Sequence, residues 1–442
     1  MWFLFRQMGG RGLTIQSRQR TTIAHAHLMT LVAMMLVVVL SSRVVAQDHG
    51  LPWTGTWAAS PMRGDAGKGF NRQTLRQIVH TSVGGQMARI HISNLFGTQP
   101  LTVADVHIAR RSTGSSIIEA TDKEVRFGGL VSITVQPGTE TISDPIDFQV
   151  PRLADVAISI YLPNPTEVPT YHPSGFQTNY IADGDVSGLT SITAAKTTQS
   201  YYFLVNLDVQ DQAALGSVVT LGASITDGYA STADANRRWP NDLAQRLLDD
   251  GLNIGVINQG ISGNRLLADG AGDSAETRFD RDALNQPGVR WVIFSDDPIN
   301  DLGSTVPPPA SKQLIDGLER LIRRAHEKQI KFVCSTLTPY QGAGYWTPAG
   351  EAAREQINAF IRGKASGCDG VIDQDAAAHD PLHPTQFLPA YDSGDHLHPN
   401  GAGLQAIAKA VNLSLFSHTE ESAAQPQPGF IERQVSLRPN GR

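Results

Sequence analysis

Between Leu51 and Gln212 apolar and polar residues alternate in short runs broken by glycine and proline. The stretches 74–83, 88–93, 101–109, 130–136, 146–150, 156–162 and 200–207 are rich in β-branched and aromatic side chains. That content, with turn residues between the runs, predicts an all-β sandwich. No good helical repeat runs through this half. Trp53 and Trp57 stand near its start. Such rings can stack on a sugar, but packing in a core or between domains is their commoner use.

At Ser217 the period changes. Short apolar runs at 217–221, 254–258, 291–295, 330–337 and 370–373 read as strands separated by helical segments. The clearest helix spans 313–328, where Leu314, Leu318, Leu321, Ile322 and Ala325 mark one face. Another begins near Pro240, since proline suits a first helical turn. Strand and helix alternating at this spacing predict an α/β fold, a parallel sheet with helices on both faces. Ligands of such sheets bind beyond the carboxyl ends of the strands, so the residues after each strand are the candidates for chemistry. After Phe416 the chain turns Ser, Gln, Pro and Glu-rich and reads as a flexible tail over 418–442.

The first 46 residues stand apart. They hold Arg6, Arg11, Arg18, Arg20 and Arg43 with no acid and no lysine, then an apolar run from Leu28 to Leu40, then Val44, Val45 and Ala46. This order predicts a signal peptide over 1–46 and a secreted or periplasmic protein. The run is short of the ~20 apolar residues of a membrane span. The expected plan is therefore leader 1–46, sandwich 51–212, catalytic domain 217–417 and tail 418–442. The chain carries 36 Lys and Arg against 42 Asp and Glu, a formal charge of −6, and losing the five leader arginines takes it to −11. An acidic protein lacks the basic footprint of a nucleic-acid binder, so no nucleic-acid partner is expected. Its two cysteines exclude a disulfide scaffold and a cysteine-only zinc site.

The first strand of the second half is followed by Gly222-Ala223-Ser224-Ile225-Thr226-Asp227-Gly228. Glycines flanking a serine allow a sharp turn that exposes the hydroxyl, though the spacing is not a Gly-x-Ser-x-Gly elbow. The second strand leads into Asn258-Gln259-Gly260-Ile261-Ser262-Gly263-Asn264, whose bare N–H groups can approach a ligand. The third leads into Asp297-Pro298-Ile299-Asn300-Asp301-Leu302-Gly303, where an Asn amide can donate into the same crevice. After the fifth comes Gly394-Asp395-His396-Leu397-His398-Pro399-Asn400. Asp395 and His398 are three apart, side by side if on a helical turn. The carboxylate can then fix the imidazole tautomer and stabilise its cation. Each signal alone is weak. Together they supply a nucleophile, oxyanion donors and a general base around one crevice.

These four blocks resemble those of the GDSL, or SGNH, hydrolase family, over roughly 217–416. The β-rich first half, entered through Trp53-Thr54-Gly55-Thr56-Trp57, is similar to a secreted subgroup with an N-terminal sandwich. The resemblance implies a flavodoxin-like sheet preceded by a jelly-roll-like sandwich. It implies a serine esterase acting on short-chain acyl or acetyl esters of carbohydrate or lipid, with no metal or other cofactor. By position, Ser224 is the expected nucleophile, His398 the base and Asp395 its partner. The Ser224 and Gly263 N–H groups and the Asn300 amide are the expected oxyanion hole. Two positions depart from the pattern. Ala223 stands where the family usually has an Asp expected to brace the serine loop. Pro298 stands where it usually has glycine, and proline disfavours a helical Asp297 and threatens to displace Asn300.

Those departures motivate an alternative, a weakly active or inactive esterase-like protein serving as a carbohydrate-binding module. A metal site built from His379, His383, Asp395, His396 and His398 is a weaker rival, because His396 and His398 alternate around Leu397 and the triad already accounts for one of them. Cys334 and Cys368 flank neighbouring strands and suit either a disulfide or two buried thiols. The aromatic, glycine-rich segment 338–346 follows the fourth strand and can wall a substrate pocket or form an ordinary loop. Tyr391 can line the same mouth or simply pack.

Overall fold

β-Branched and aromatic runs pair in the first half as two large antiparallel sheets and two small ones, in a computed structural model that describes residues 50–64 and 69–417. The leader over 1–46 and the tail over 418–442 lie outside the described residues. One sheet sets Thr54–Ala58, Leu204–Gln210, Gly85–Ser93 and Glu140–Ile142 side by side, with Ile146–Val150 also on Gly85–Ser93. The other runs Lys196–Thr198, Asn179–Asp183, Gln73–His80, Asp155–Leu162, Leu101–Thr113 and Ser116–Ile117. Leu75, Val79, Ile90, Ile92, Val106, Ile158 and Leu207 meet in one buried core. Ile146–Val150 alternates buried and exposed residues, as a strand with one wet face does. Gln73–His80 is buried along its middle because Ile78 packs with Ala109 and Ala157 on the face away from that core.

Several strands of the first half escaped the alternation pattern, Thr54–Ala58 and Asn179–Asp183 being the longest. Thr54–Ala58 is buried at every position, so neither face is marked by polarity. Asn179–Asp183 buries a polar Asn179, whose amide oxygen accepts from Ile78 N at 2.7 Å. Trp57 is buried with its ring edge-on to Tyr201 at 4.7 Å, and Arg89 lies over Trp53 at 4.4 Å. Both tryptophans therefore pack.

The second half forms one parallel sheet of five strands: β1 (Ser217–Gly222), β2 (Gly255–Gly260), β3 (Val289–Phe294), β4 (Lys331–Ser335) and β5 (Gly370–Ile372). Their order is β2-β1-β3-β4-β5, the flavodoxin-like arrangement. The helices are α1 (Ser224–Asp227), α2 (Trp239–Asp249), α3 (Ala275–Phe279), α4 (Asp297–Ser304), α5 (Ser311–Glu327), α6 (Pro348–Arg362), α7 (Gln374–Ala378) and α8 (Gly401–Ala410). Alternate residues of the strands feed two cores. Val219, Leu221, Val292 and Phe294 pack with α5 and α6 through Leu314, Leu318, Leu321 and Ile357. Val218, Trp291 and Ile293 pack with α2 and α8 through Trp239, Leu243, Leu404 and Ile407. Burial on both faces is why these strands read as unbroken apolar runs.

The described residues from Trp53 onward form one compact unit. Thr54–Ala58 runs against β2, where a Cβ on Gly255 would lie 2.0 Å from the Gly55 carbonyl oxygen. Gly55 N donates to Pro287 O at 3.0 Å and Val256 N donates to Ser82 Oγ at 2.9 Å. Cys334 and Cys368 form a disulfide that ties β4 to the segment before β5. Among the described residues no helix is long and apolar enough to cross a membrane.

Candidate active site

β1 ends at Gly222, and the chain turns at once into α1, whose first residue is Ser224. The turn has no room for a larger residue at Gly222, where a Cβ would meet Thr226 Oγ1 at 2.2 Å and Asp296 Oδ1 at 2.5 Å. Ser224 is thereby set at the carboxyl end of the strand where the sheet order reverses, the usual ligand crevice of such sheets. His398 Nε2 lies 2.9 Å from Ser224 Oγ, and His398 Nδ1 lies 2.6 Å from Asp395 Oδ2. The sequence-predicted serine, histidine and aspartate are thus joined in one hydrogen-bonded chain.

Asp395 and His398 meet without the expected helical turn. The loop before α8 is closed by Ser393 N donating to His398 O at 3.0 Å and Asn400 N to Tyr391 O at 2.7 Å. Asp395 Oδ1 accepts from Leu397 N and His398 N at 3.0 and 2.9 Å, so the carboxylate itself shapes the loop. Partial burial works to raise the Asp395 pKa, but the hydrogen bonds from the His398 ring and these N–H groups win and hold it at about 2. The carboxylate therefore stays ionised and orients Nδ1–H, leaving Nε2 to face the hydroxyl. Tyr229, just past α1, lies against the His398 ring with centroids 4.2 Å apart. It was not among the sequence candidates, and only its aromatic character beside the serine block pointed to it.

Among the described residues, no protein atom accepts from the Ser224 N–H or the Gly263 N–H. Gly263 has φ +81°, a conformation that favours glycine. The Asn300 amide donates to Asn264 O at 2.9 Å, tying it to the Gly263 loop, and its Oδ1 accepts from Tyr345 O–H at 3.2 Å. An amide nitrogen carries two hydrogens, so one remains for a ligand. Pro298 falls in the first turn of α4, where a missing N–H costs nothing, and Asp297 is helical despite the proline after it. Asn300 remains buried and bonded to the glycine loop, so the feared displacement does not separate the two blocks.

The missing acid at Ala223 has a substitute. Asp296 reaches across from the end of β3 and accepts from Ala223 N at 3.0 Å, Ile225 N at 2.8 Å and Thr226 Oγ1 at 2.7 Å. The serine turn is braced by a carboxylate after all, delivered from a different strand. The doubled acid at Asp296 and Asp297 was the only trace of this in the sequence. Asp297 is itself fully buried with no hydrogen-bond partner, and Arg278 Nη2 is 3.6 Å away. Burial pushes its carboxyl up to about 7 against the pull of Arg278. Arg278, also unmarked in the sequence reading, is a buried hub. It donates to Gly222 O, Gln259 O and Asn264 Oδ1 at 3.0, 2.5 and 3.1 Å, binding the first two blocks together.

The histidines of the rival metal reading take separate carboxylates: His383 with Asp380, His396 with Asp392 and His398 with Asp395. Among the described residues no three or more His, Cys, Asp or Glu are grouped to hold a metal ion. Segment 338–346 does reach the site, through Tyr345 on Asn300 and through Gly342, where a Cβ would lie 2.8 Å from the His396 ring. Tyr391 packs against Gly403 of α8. A cavity of about 790 Å³ lies elsewhere, lined by His80, Arg111, Asp155, Arg237, Asp242 and Lys409 among others, without Ser224, Asp395 or His398. Several of its charges neutralise one another, as in Arg111 with Asp155 and Arg237 with Asp242.

A hydroxyl backed by an imidazole and a carboxylate, at the carboxyl edge of a flavodoxin-like sheet, is the arrangement of a serine hydrolase. Residues 220–406 match the model of the GDSL-like Lipase/Acylhydrolase family. This segment is a GDSL-like lipase/acylhydrolase domain, and its parallel sheet and helices have the GDSL fold. No curated protein matches the chain. Similar solved structures include a lipase/acylhydrolase from Enterococcus faecalis, at 19% identity over 47% of this chain and 99% of that one, with a TM-score of 0.36. A carbohydrate acetylesterase family member from Sinorhizobium meliloti is 17% identical over 46% of this chain and 99% of that one, with a TM-score of 0.35. A family two carbohydrate esterase from Cellvibrio japonicus is 11% identical over 83% of this chain and 96% of that one, again at a TM-score of 0.35.

Proposed function

We propose that the chain is a secreted or periplasmic serine esterase acting on short-chain acyl or acetyl esters, with acylated carbohydrate or lipid as the substrate class. The observation that carries the mechanism is the continuous path from Asp395 through His398 to Ser224, at 2.6 and 2.9 Å. His398 takes the Ser224 proton as Oγ attacks the ester carbonyl, and Asp395 stabilises the imidazolium that results. The tetrahedral oxyanion is held by the N–H groups of Ser224 and Gly263 and by the Asn300 amide. His398 then protonates the departing alcohol. Water, deprotonated by the same imidazole, attacks the acyl-serine and releases the acid.

Three further observations support this reading. Asp296 braces the turn that Ala223 leaves without its own carboxylate, which favours an active esterase over a carbohydrate-binding module. Tyr229 and Tyr345 flank His398 and Asn300, which suits a confined acyl site. The Cys334–Cys368 disulfide is at home in an oxidising compartment, in line with an exported protein. The test is hydrolysis of p-nitrophenyl acetate by the purified chain and by Ser224→Ala, followed by a panel from acetyl to long acyl esters with acetylated polysaccharides included. Turnover lost in Ser224→Ala and steepest for acetyl is the expected result. Equal, background rates for both proteins would overturn the mechanism.

A further inference from the structure

Among the side chains by which the β-sandwich reaches the parallel-sheet half, His172 meets the serine turn itself. His172, in the short strand Thr170–His172, is buried at 5% exposure and faces α1. Its Nε2 is 3.0 Å from Asp227 Oδ1, and its Nδ1 is 3.0 Å from the Ser60 carbonyl oxygen. Both ring nitrogens thus meet oxygens that only accept when Asp227 is ionised. The ring bridges a carboxylate of α1 and a backbone carbonyl of the sandwich.

Asp227 is the last residue of α1, three after Ser224, and is itself 2% exposed. Its other oxygen, Oδ2, accepts from Ser262 N at 2.9 Å and from Ser262 Oγ at 2.6 Å. Ser262 immediately precedes Gly263. One carboxylate therefore clamps the serine turn to the glycine loop, and the sandwich histidine fixes the orientation of that carboxylate. The approach is tight. A Cβ on Gly260 would lie 2.3 Å from Asp227 N, so α1 and the glycine loop have no slack to take up if the clamp rotates. Ser60, the acceptor for Nδ1, is also a sandwich residue and accepts on its Oγ from the buried Arg278 at 3.1 Å.

We propose that His172 is a positioning residue for ester hydrolysis, acting through Asp227 on the serine turn and the Gly263 loop, so that the sandwich completes the hydrolytic site. This inference rests on the assignment of Ser224 and Gly263 made above. His172 touches no reacting atom. It sets the angle between the nucleophile and the N–H that receives the oxyanion, and misplacement on the order of 1 Å in such a geometry costs up to about a hundredfold in rate.

The test uses the full chain, with kcat and KM for p-nitrophenyl acetate measured on wild type, Ser224→Ala, His172→Phe, His172→Gln, Asp227→Asn and the double variant His172→Phe with Asp227→Asn. Circular dichroism and thermal melting report folding. His172→Phe is expected to lower kcat about tenfold to a hundredfold with KM within about twofold, in a protein that still melts cooperatively. His172→Gln, which keeps one donor, recovers part of the loss. In the double variant the two losses do not multiply, because both break the same clamp. A folded His172→Phe with wild-type kcat, or losses that multiply, would overturn the proposal. If phenylalanine prevents folding, His172→Gln and Asp227→Asn decide it: wild-type kcat in both would overturn it too. Absence of wild-type turnover, or full turnover in Ser224→Ala, marks failure of the esterase mechanism itself.

Discussion

At the residue scale, the proposed mechanism separates groups that react from groups that hold them. Asn300 donates its amide toward the Gly263 loop, and Asn300→Ala is expected to lower kcat about 10²–10³-fold with KM little changed, measured on p-nitrophenyl acetate. Asp395 is held at about 2, so it is ionised at neutral pH and well into the acid range. A pH–rate profile should therefore show no limb from this carboxyl above about pH 3. Asp297 behaves oppositely. With its folded pKa at about 7 against an ordinary value near ~3.9, the native chain keeps a proton that the unfolded chain has released between those values. Stability should fall as pH rises across that window and level off above it. Asp297→Asn is expected to flatten this decline and raise the melting temperature more at pH 8 than at pH 4. Denaturation series at several pH values check it, and an unchanged slope would contradict it.

At the element scale, what the sequence disclosed follows burial. The parallel strands are apolar on both faces and the exposed helix α5 has one apolar stripe, so period alone located them. Ser224, Gly263 and Asn300 stood out as candidates because each follows the end of a parallel strand. Asp395 and His398 lie in the loop before α8, beyond α7 and the hairpin of 379–387, and were marked only by their Asp-x-x-His spacing. Thr54–Ala58 was not legible, since a five-residue strand buried at every position, polar threonines included, carries no alternation. Asp296 was not, since its partners are backbone N–H groups some seventy residues earlier, a contact no local spacing encodes. The brace that Ala223 cannot supply is of that kind: it comes from an acid just past the end of β3. The disulfide closes a loop of 34 residues between β4 and the start of β5. Replacing Cys334 and Cys368 together with serine should cost about 2–4 kcal/mol of stability in urea titrations while leaving kcat intact.

At the scale of the whole molecule, the two halves share more than a linker. Thr54–Ala58 lies against β2, Ala58 packs with Val219 and Ile257, and Ser60, Ser82 and His172 all bond into the parallel-sheet half. A fragment beginning at Ala213 would bare this face of β2 and leave Asp227 without its histidine. Such a fragment is expected to melt at lower temperature, or without cooperativity, and to lose most esterase turnover; retention of both would show the halves to be independent. The acidic formal charge of −6 suits a neutral ester better than a polyanion. The central claim is that Ser224 is a nucleophile activated by His398. Its most direct test is treatment of the purified chain with a fluorophosphonate, followed by peptide mass analysis. A single adduct on Ser224, formed in step with loss of p-nitrophenyl acetate hydrolysis and absent from His398→Ala, is the predicted result. An unlabelled Ser224 in a chain that still hydrolyses the ester would contradict it.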